Sequence, residues 1–286
     1  MDTECVKLKI RLAQIAPRLG DIQRNLQTHR EVIERAGQDG VGLLVFPELS
    51  LTGYYLRDLA SEVAIRADDE ALLGLAALAG PVTVVLGFVE RDRRGRVFCS
   101  AGCLAGGKVA HVHRKVYLPT YGMFDEGRYL TPGDEVRAFE GDGWRGGLLV
   151  CEDLWHLSPL LLLAGQGTDL LIALSCSPAR GVAGQGLSSQ AAWEDMLPTY
   201  ARLLQQFVVF CNRVGYEDGV CFWGGSGVWG PEGRALARAP VLDAATVDCE
   251  VDLRDLYQVR ASSPMLANER DELTLREMER VTRERA

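Results

Sequence analysis

Between Lys7 and Ile15, Leu8, Ile10 and Leu12 alternate with Lys7, Lys9 and Arg11, the period-2 pattern of a strand with one solvated face. Asp21 then stands at the N-cap of a segment whose Leu26, Val32 and Ile33 share one helical face and which ends near Gly37 and Gly40. Residues 41–46 form a short continuous apolar run, the pattern of a strand buried on both faces. Residues 68–78 predict a helix and 82–89 a strand. The runs 97–104 and 108–114, joined by Ala105-Gly106-Gly107, predict a hairpin.

The second half has a similar rhythm. Strands are expected over 146–151, 169–175 and 207–212, and helices over 157–166 and 193–206, the latter bent or interrupted at Pro198. Residues 225–229 and 234–239 flank the turn Gly230-Pro231-Glu232-Gly233, and 246–253 read as a late strand. Strands alternating with helices, plus hairpins, predict a layered α/β architecture in which helices cover sheet faces. No linker rich in Pro or Ser divides the chain. One domain over residues 1–286 is therefore expected, with the charged stretch 254–286 as a surface helix or an arm reaching a partner subunit.

Composition narrows the function classes. The 286 residues, 47% of them hydrophobic, suffice for a sizeable core. Net charge is −8 and no run of Lys or Arg builds a basic face, which argues against nucleic acid and anionic membrane as partners. The longest apolar stretch, Leu157 to Ala164, falls far short of the ~20 residues of a membrane helix, and the polar, charged start lacks the pattern of a secretory leader. Eight cysteines, with Cys5, Cys176, Cys211 and Cys249 in apolar runs, point to a reduced cytoplasmic compartment rather than a disulfide framework.

Three strand ends carry candidate chemistry. Cys151 closes Gly147-Leu148-Leu149-Val150 and opens the acidic turn Glu152-Asp153-Leu154-Trp155; Glu48 closes Leu43-Leu44-Val45-Phe46-Pro47; Lys115 closes Val109-Ala110-His111-Val112-His113-Arg114. A cysteine attacks a carbonyl or nitrile carbon only as thiolate, and a free thiol titrates at ~8.5. Glu48 is placed to take that proton and later to activate water, while Lys115 and the Glu152 N–H are placed to hold an oxyanion. A helix starting after Cys151 would also lower the thiol pKa. No metal or cofactor is needed. Taken alone, a cysteine after Leu-Leu-Val is more often core, and Glu48 and Lys115 would be loop and strand-end charges.

The surrounding runs carry a resemblance. Phe46-Pro47-Glu48-Leu49-Ser50-Leu51-Thr52-Gly53-Tyr54, His113-Arg114-Lys115-Val116-Tyr117-Leu118-Pro119 and Leu149-Val150-Cys151-Glu152-Asp153-Leu154-Trp155 resemble, in order and spacing, the signature blocks of the nitrilase superfamily. These are carbon–nitrogen hydrolases with a Glu-Lys-Cys triad. The run from Tyr121 to Gly133 adds to a likeness that extends from about Ile10 to Leu253. The resemblance implies a four-layer α-β-β-α sandwich, homodimers formed by pairing sandwiches, and Glu48, Lys115 and Cys151 as the triad.

Within that superfamily, Cys151-Glu152-Asp153, Ser175-Cys176-Ser177-Pro178 and the run Cys211 to Asp218 most resemble the glutaminase domain of glutamine-dependent NAD synthetase. Carried over, Glu126 orients Lys115 or the substrate, Tyr54, Tyr121 and Phe124 line the pocket, and Glu152 and Ser177 meet the amino-acid end of glutamine. Ala183 lies near the usual place of the arginine that binds the glutamine carboxylate. Arg180, three residues earlier, substitutes for it or does not. No Ser-Gly-Gly-x-Asp-Ser pyrophosphatase loop occurs, so no synthetase half is expected. The implied reaction is hydrolysis of glutamine or another ω-amide with release of ammonia. Supply of ammonia to a separate NAD synthetase is the alternative, and nitrile or N-carbamoyl hydrolysis are further chemistries of the same thioester.

Other signals read as structural. His111 and His113 share a strand face, but Cys99 and Cys103 on the paired strand lie roughly 13 Å apart, too far to share one zinc ion. Glu152 and His156 are spaced i, i+4 without a His-Glu-x-x-His motif. Gly224-Gly225-Ser226-Gly227 lacks the lysine and helix of a phosphate loop and reads as a tight turn. Residues 160–163 read as a buried helix face rather than a lipid anchor.

Overall fold

The computed structural model describes residues 7–183 and 186–285, so Cys5 lies outside the described residues. The hydrophobic runs form two six-stranded sheets. In the first, Lys7–Gln14 lies between antiparallel Ala245–Asp252 and parallel Leu43–Val45, followed by Thr83–Arg91 and the expected hairpin of Val97–Ala105 and Lys108–Arg114. In the second, Arg145–Val150, Leu170–Ser175 and Phe207–Asn212 run parallel, flanked by Ala138–Glu140 on one side and by Gly227–Trp229 and Ala235–Arg238 on the other.

Strand periodicity explains why these runs are apolar at nearly every position. Leu43 and Val45 face the second sheet, whose Leu148, Val150, Ile172 and Leu174 face back, and together they make the central core. Leu44, Phe46, Val84 and Leu86 point the other way, under helices Ile22–Gln38 and Glu70–Ala79. On the far side Leu149, Leu171 and Phe210 pack against Leu160, Leu163, Trp193 and Leu197 of helices Leu157–Gly165 and Ser188–Leu203. The layers are thus helix, sheet, sheet, helix, the expected α/β sandwich. Each fully buried aliphatic side chain contributes roughly 1.5–3 kcal/mol to holding them together.

Four local expectations change. The polar face of the first strand is not simply solvated: Arg11 is buried by ion pairs with Asp248 (2.6 Å) and Asp39 (2.8 Å), because this strand is internal to its sheet. The helix expected from Trp193 begins at Ser188 and continues through Pro198, its Trp193, Leu197 and Ala201 packing offsetting the missing N–H. Of residues 160–163 only Leu160 and Leu163 are buried; Leu161 and Leu162 are 47% and 54% exposed. Spacing of i, i+3 puts the first pair on one face and turns the other outward. A hairpin of Val214–Glu217 and Val220–Trp223 was not expected, although Asp218-Gly219, with φ of 48° and 79°, is a strong turn signal.

The charged C-terminal stretch forms helices Leu253–Ser262 and Asp271–Arg285, the latter burying no residue. Among the described residues no helix is long and apolar enough to cross a membrane.

Candidate active site

Glu48, Lys115 and Cys151 follow strands of the two facing sheets and meet where those strands end. After Leu43–Val45, the chain crosses Gly87 so closely that a Cβ there would lie 2.2 Å from Leu49 N, so only glycine lets Glu48 turn inward. The Lys115 N–H donates to Cys99 O (2.8 Å), and the Gly133 N–H donates to Lys115 O (2.8 Å), which anchors Lys115 to its own sheet. Cys151 follows Arg145–Val150 and begins a 3₁₀ turn, Cys151–Trp155, in the left-handed region at φ 46°. Such a backbone costs an L-residue roughly 1–2 kcal/mol and marks an imposed geometry.

Lys115 is fully buried. Its Nζ donates to Glu48 Oε1 and to Glu126 Oε1, each at 2.8 Å. The Tyr54 hydroxyl donates to the same Glu126 oxygen at 2.6 Å. The second oxygen of Glu48 accepts the Cys176 N–H at 2.7 Å, so both carboxylate oxygens are held. Burial works against the charge on Lys115, but Glu126 and Glu48 outweigh it and raise its pKa. Glu126 is pushed up to about 7, with burial outweighing the attraction of Lys115.

A carboxyl with a raised folded pKa binds its proton better in the folded state. Its contribution to stability is therefore present below about 4.5 and lost as pH rises through about 7. Between about pH 5 and 8, Tm is expected to fall more steeply with pH in the native protein than in Glu126→Gln. Equal slopes in thermal unfolding would contradict this reading of Glu126.

The thiol differs from expectation. Cys151 opens a five-residue turn, yet its thiol pKa is raised: burial and then Glu48 push it up, with Lys115 and the Ser175 hydroxyl (Oγ to Sγ 3.4 Å) opposing. A neutral thiol beside a carboxylate suits an attack in which the proton leaves as the carbon–sulfur bond forms. Ser175 reaches Cys151 because Val150 pairs with Leu174 in parallel register.

Cys151 opens into a cavity of about 460 Å³ lined by Tyr121, Phe124, Glu152, Ser177 and Arg180. Tyr121, Phe124, Glu152 and Ser177 were expected there; Arg180, left open by the sequence, also lines the pocket, its guanidinium 5.5 Å from the Phe124 ring centroid. The Tyr121 hydroxyl reaches both Glu152 oxygens (2.9 and 3.0 Å), and burial raises the Glu152 pKa. Ser177 Oγ accepts from the indoles of Trp193 (2.9 Å) and Trp223 (3.0 Å), which leaves its own proton to donate. Tyr54 lies instead in a neighbouring cavity of about 370 Å³, on the Glu126 side of Phe124, and acts here through Glu126.

Asp153, Ser175 and Cys176 were not singled out from the sequence. Asp153 is fully buried among backbone N–H groups of the segments around Lys115 and Cys151; its place in the Cys-Glu-Asp run was visible, its inward direction was not. His113 lies against Asp153 (2.9 Å). His111 stacks on Phe139, and burial lowers its pKa to about 4.

The chain is similar to known proteins over most of its length. Residues 9–261 match the profile of the carbon-nitrogen hydrolase family. A glutamine-dependent NAD(+) synthetase from Thermotoga maritima is 31% identical over 263 residues, covering 90% of this chain and 44% of that protein. The structure of glutamine-dependent NAD+ synthetase from Acinetobacter baumannii is 30% identical with a TM-score of 0.79, over 88% of this chain and 47% of that one. The chain thus spans about half the length of the synthetases it matches. The fold is also that of an amidase from Nesterenkonia sp. AN1, with a TM-score of 0.78 at 24% identity over 94% of this chain and 96% of that one. The fold and the profile match over most of the sequence show that the chain belongs to the carbon-nitrogen hydrolase family, the nitrilase superfamily of enzymes acting on carbon–nitrogen bonds other than peptide bonds.

Proposed function

We propose that the protein hydrolyses an ω-amide through a thioester on Cys151, with glutamine as the favoured substrate. The observation that carries this reading is Lys115 Nζ held between Glu48 and Glu126 beside a cysteine that opens into a cavity. Glu48 takes the thiol proton as Sγ bonds to the amide carbon, and Lys115 with the Glu152 N–H receives the oxyanion. As the C–N bond breaks, Glu48 returns the proton to departing ammonia. It then takes a proton from water, whose hydroxide attacks the thioester and releases the carboxylic acid and the thiol.

Glu152 offers a carboxylate to an α-ammonium group, and Arg180 a guanidinium to an α-carboxylate, both lining the cavity with Phe124 and Tyr121. Similarity to glutamine-dependent synthetases supports that assignment. Ammonia release screened over glutamine, asparagine, simple aliphatic amides, N-carbamoyl amino acids and short nitriles tests it. Glutamine turned over no better than aliphatic amides would refute it. Arg180→Ala is expected to raise KM for glutamine roughly 10–100-fold, by loss of a charge-assisted pair, and to leave propionamide within about 2-fold.

The same similarity favours a second reading, in which the released ammonia passes to a separate synthetase; co-elution with such an enzyme would support it. We further read the exposed Leu157, Leu161, Leu162 and Leu203 as the face on which two copies pair, as the superfamily's paired sandwiches imply. The mass of the full chain in solution reads this directly. The seven described cysteines are free thiols, which fits the reducing compartment of a cytoplasmic enzyme.

A further inference from the structure

Asp153 has no step in the reaction above, yet its carboxylate is fully buried and saturated with donors. Oδ1 accepts the N–H groups of Val116 (2.9 Å) and Tyr117 (3.0 Å), the two residues after Lys115. Oδ2 accepts the N–H of Val150 (3.0 Å), the residue before Cys151, and His113 Nε2 (2.9 Å), two residues before Lys115. Lys108–Arg114 and Arg145–Val150 belong to different sheets, so no strand ladder sets the catalytic blocks against each other. The Asp153 side chain bridges them directly, with charge-assisted bonds to both. Val150 is also the residue from which the backbone enters the left-handed conformation of Cys151.

We propose that Asp153 is the positioning residue of the oxyanion site: it sets Lys115 Nζ against the Glu152 N–H, the two donors that receive the developing charge. The proposal rests on the thioester reading above. A displacement of about 1 Å in such a site costs on the order of 10²-fold in rate. Alkylation of the Cys151 thiol by iodoacetamide forms no oxyanion and does not call on that alignment.

Asp153→Asn keeps an oxygen for Val116 and Tyr117 but turns an NH₂ group toward the Val150 N–H. Its kcat, counted per alkylatable Cys151, is expected to fall roughly 10²-fold, with KM and the alkylation rate each within about 3-fold of the native enzyme. A merely structural role would lower Tm and leave kcat per site unchanged, and that result overturns the proposal. Equal losses in kcat and alkylation, the mark of a collapsed site, overturn it as well.

Should Asp153→Asn not fold, His113→Phe removes one of the four donors. It is expected to lower kcat about 5–10-fold with alkylation unchanged, and an unchanged kcat overturns the proposal. Turnover by Cys151→Ala would instead remove the thioester reading itself, so the two failures are distinguishable.

Discussion

Purified Cys151→Ala is expected to release ammonia from no amide above roughly 10⁻⁴ of the native rate, while unfolding with the same cooperativity. The loss is that of a nucleophile for which no neighbour substitutes. Cys99 and Cys176 are the nearest other thiols to Glu48, with Cys99 Sγ 3.6 Å from Oε1 and Cys176 Sγ 3.1 Å from the backbone oxygen. Both are buried behind the carboxylate, and neither lines the cavity into which Cys151 opens. Removing one partly exposed sulfur costs about 1 kcal/mol, within the margin of a domain of this size. Ammonia assays on the variant, with mass spectrometry of the native enzyme caught as its thioester, provide the check. Residual turnover of a few per cent would sink the mechanism.

Lys115→Met combines a large loss of rate with a large loss of stability. Lys115 is the shared partner of Glu48 and Glu126, and its side chain is fully buried. Removing it leaves Glu126, whose pKa is already pushed up to about 7, to hold its proton at neutral pH, and takes from the buried Glu48 carboxylate its cation, at a cost of about 3–5 kcal/mol. It also removes an oxyanion donor, worth roughly 10²–10³-fold in kcat. Lys115→Arg is not a rescue, since a planar guanidinium does not fit where one ammonium meets two carboxylates. Denaturant unfolding near neutral pH, read beside ammonia release, tests both. Native stability in Lys115→Met would mean that the buried Lys115–Glu48 pair does not hold the site together, and would undo this account of it.

Much of the site was legible because its residues end strands. An apolar run closed by a single charged or nucleophilic residue is a local pattern, and three such runs in nitrilase-like blocks named Glu48, Lys115 and Cys151 together. Glu126, Arg180 and the side-chain role of Glu152 were legible only through resemblance. Ser175 and Cys176 were not, because their nearness depends on the parallel register that sets Val150 beside Leu174 and on the facing of the two sheets. The thiol pKa was misjudged for a related reason: a helix start is a local feature, whereas burial and the approach of Glu48 are not.

By itself, the chain's hydrophobic pattern determined most of the elements and the α/β layering, since each rests on contacts between residues close in sequence, while Glu48, Lys115 and Cys151 were singled out only when their strand-end places were joined to the nitrilase-like blocks around them. Only the tertiary structure decided which way each side chain faces across the sheets. It placed Tyr54 on Glu126 rather than in the Cys151 cavity, brought Arg180 to the mouth of that cavity, and turned Asp153 inward between the blocks. These are long-range contacts between chains of residues that end together, and their energies come from burial and desolvation, which have no local signature.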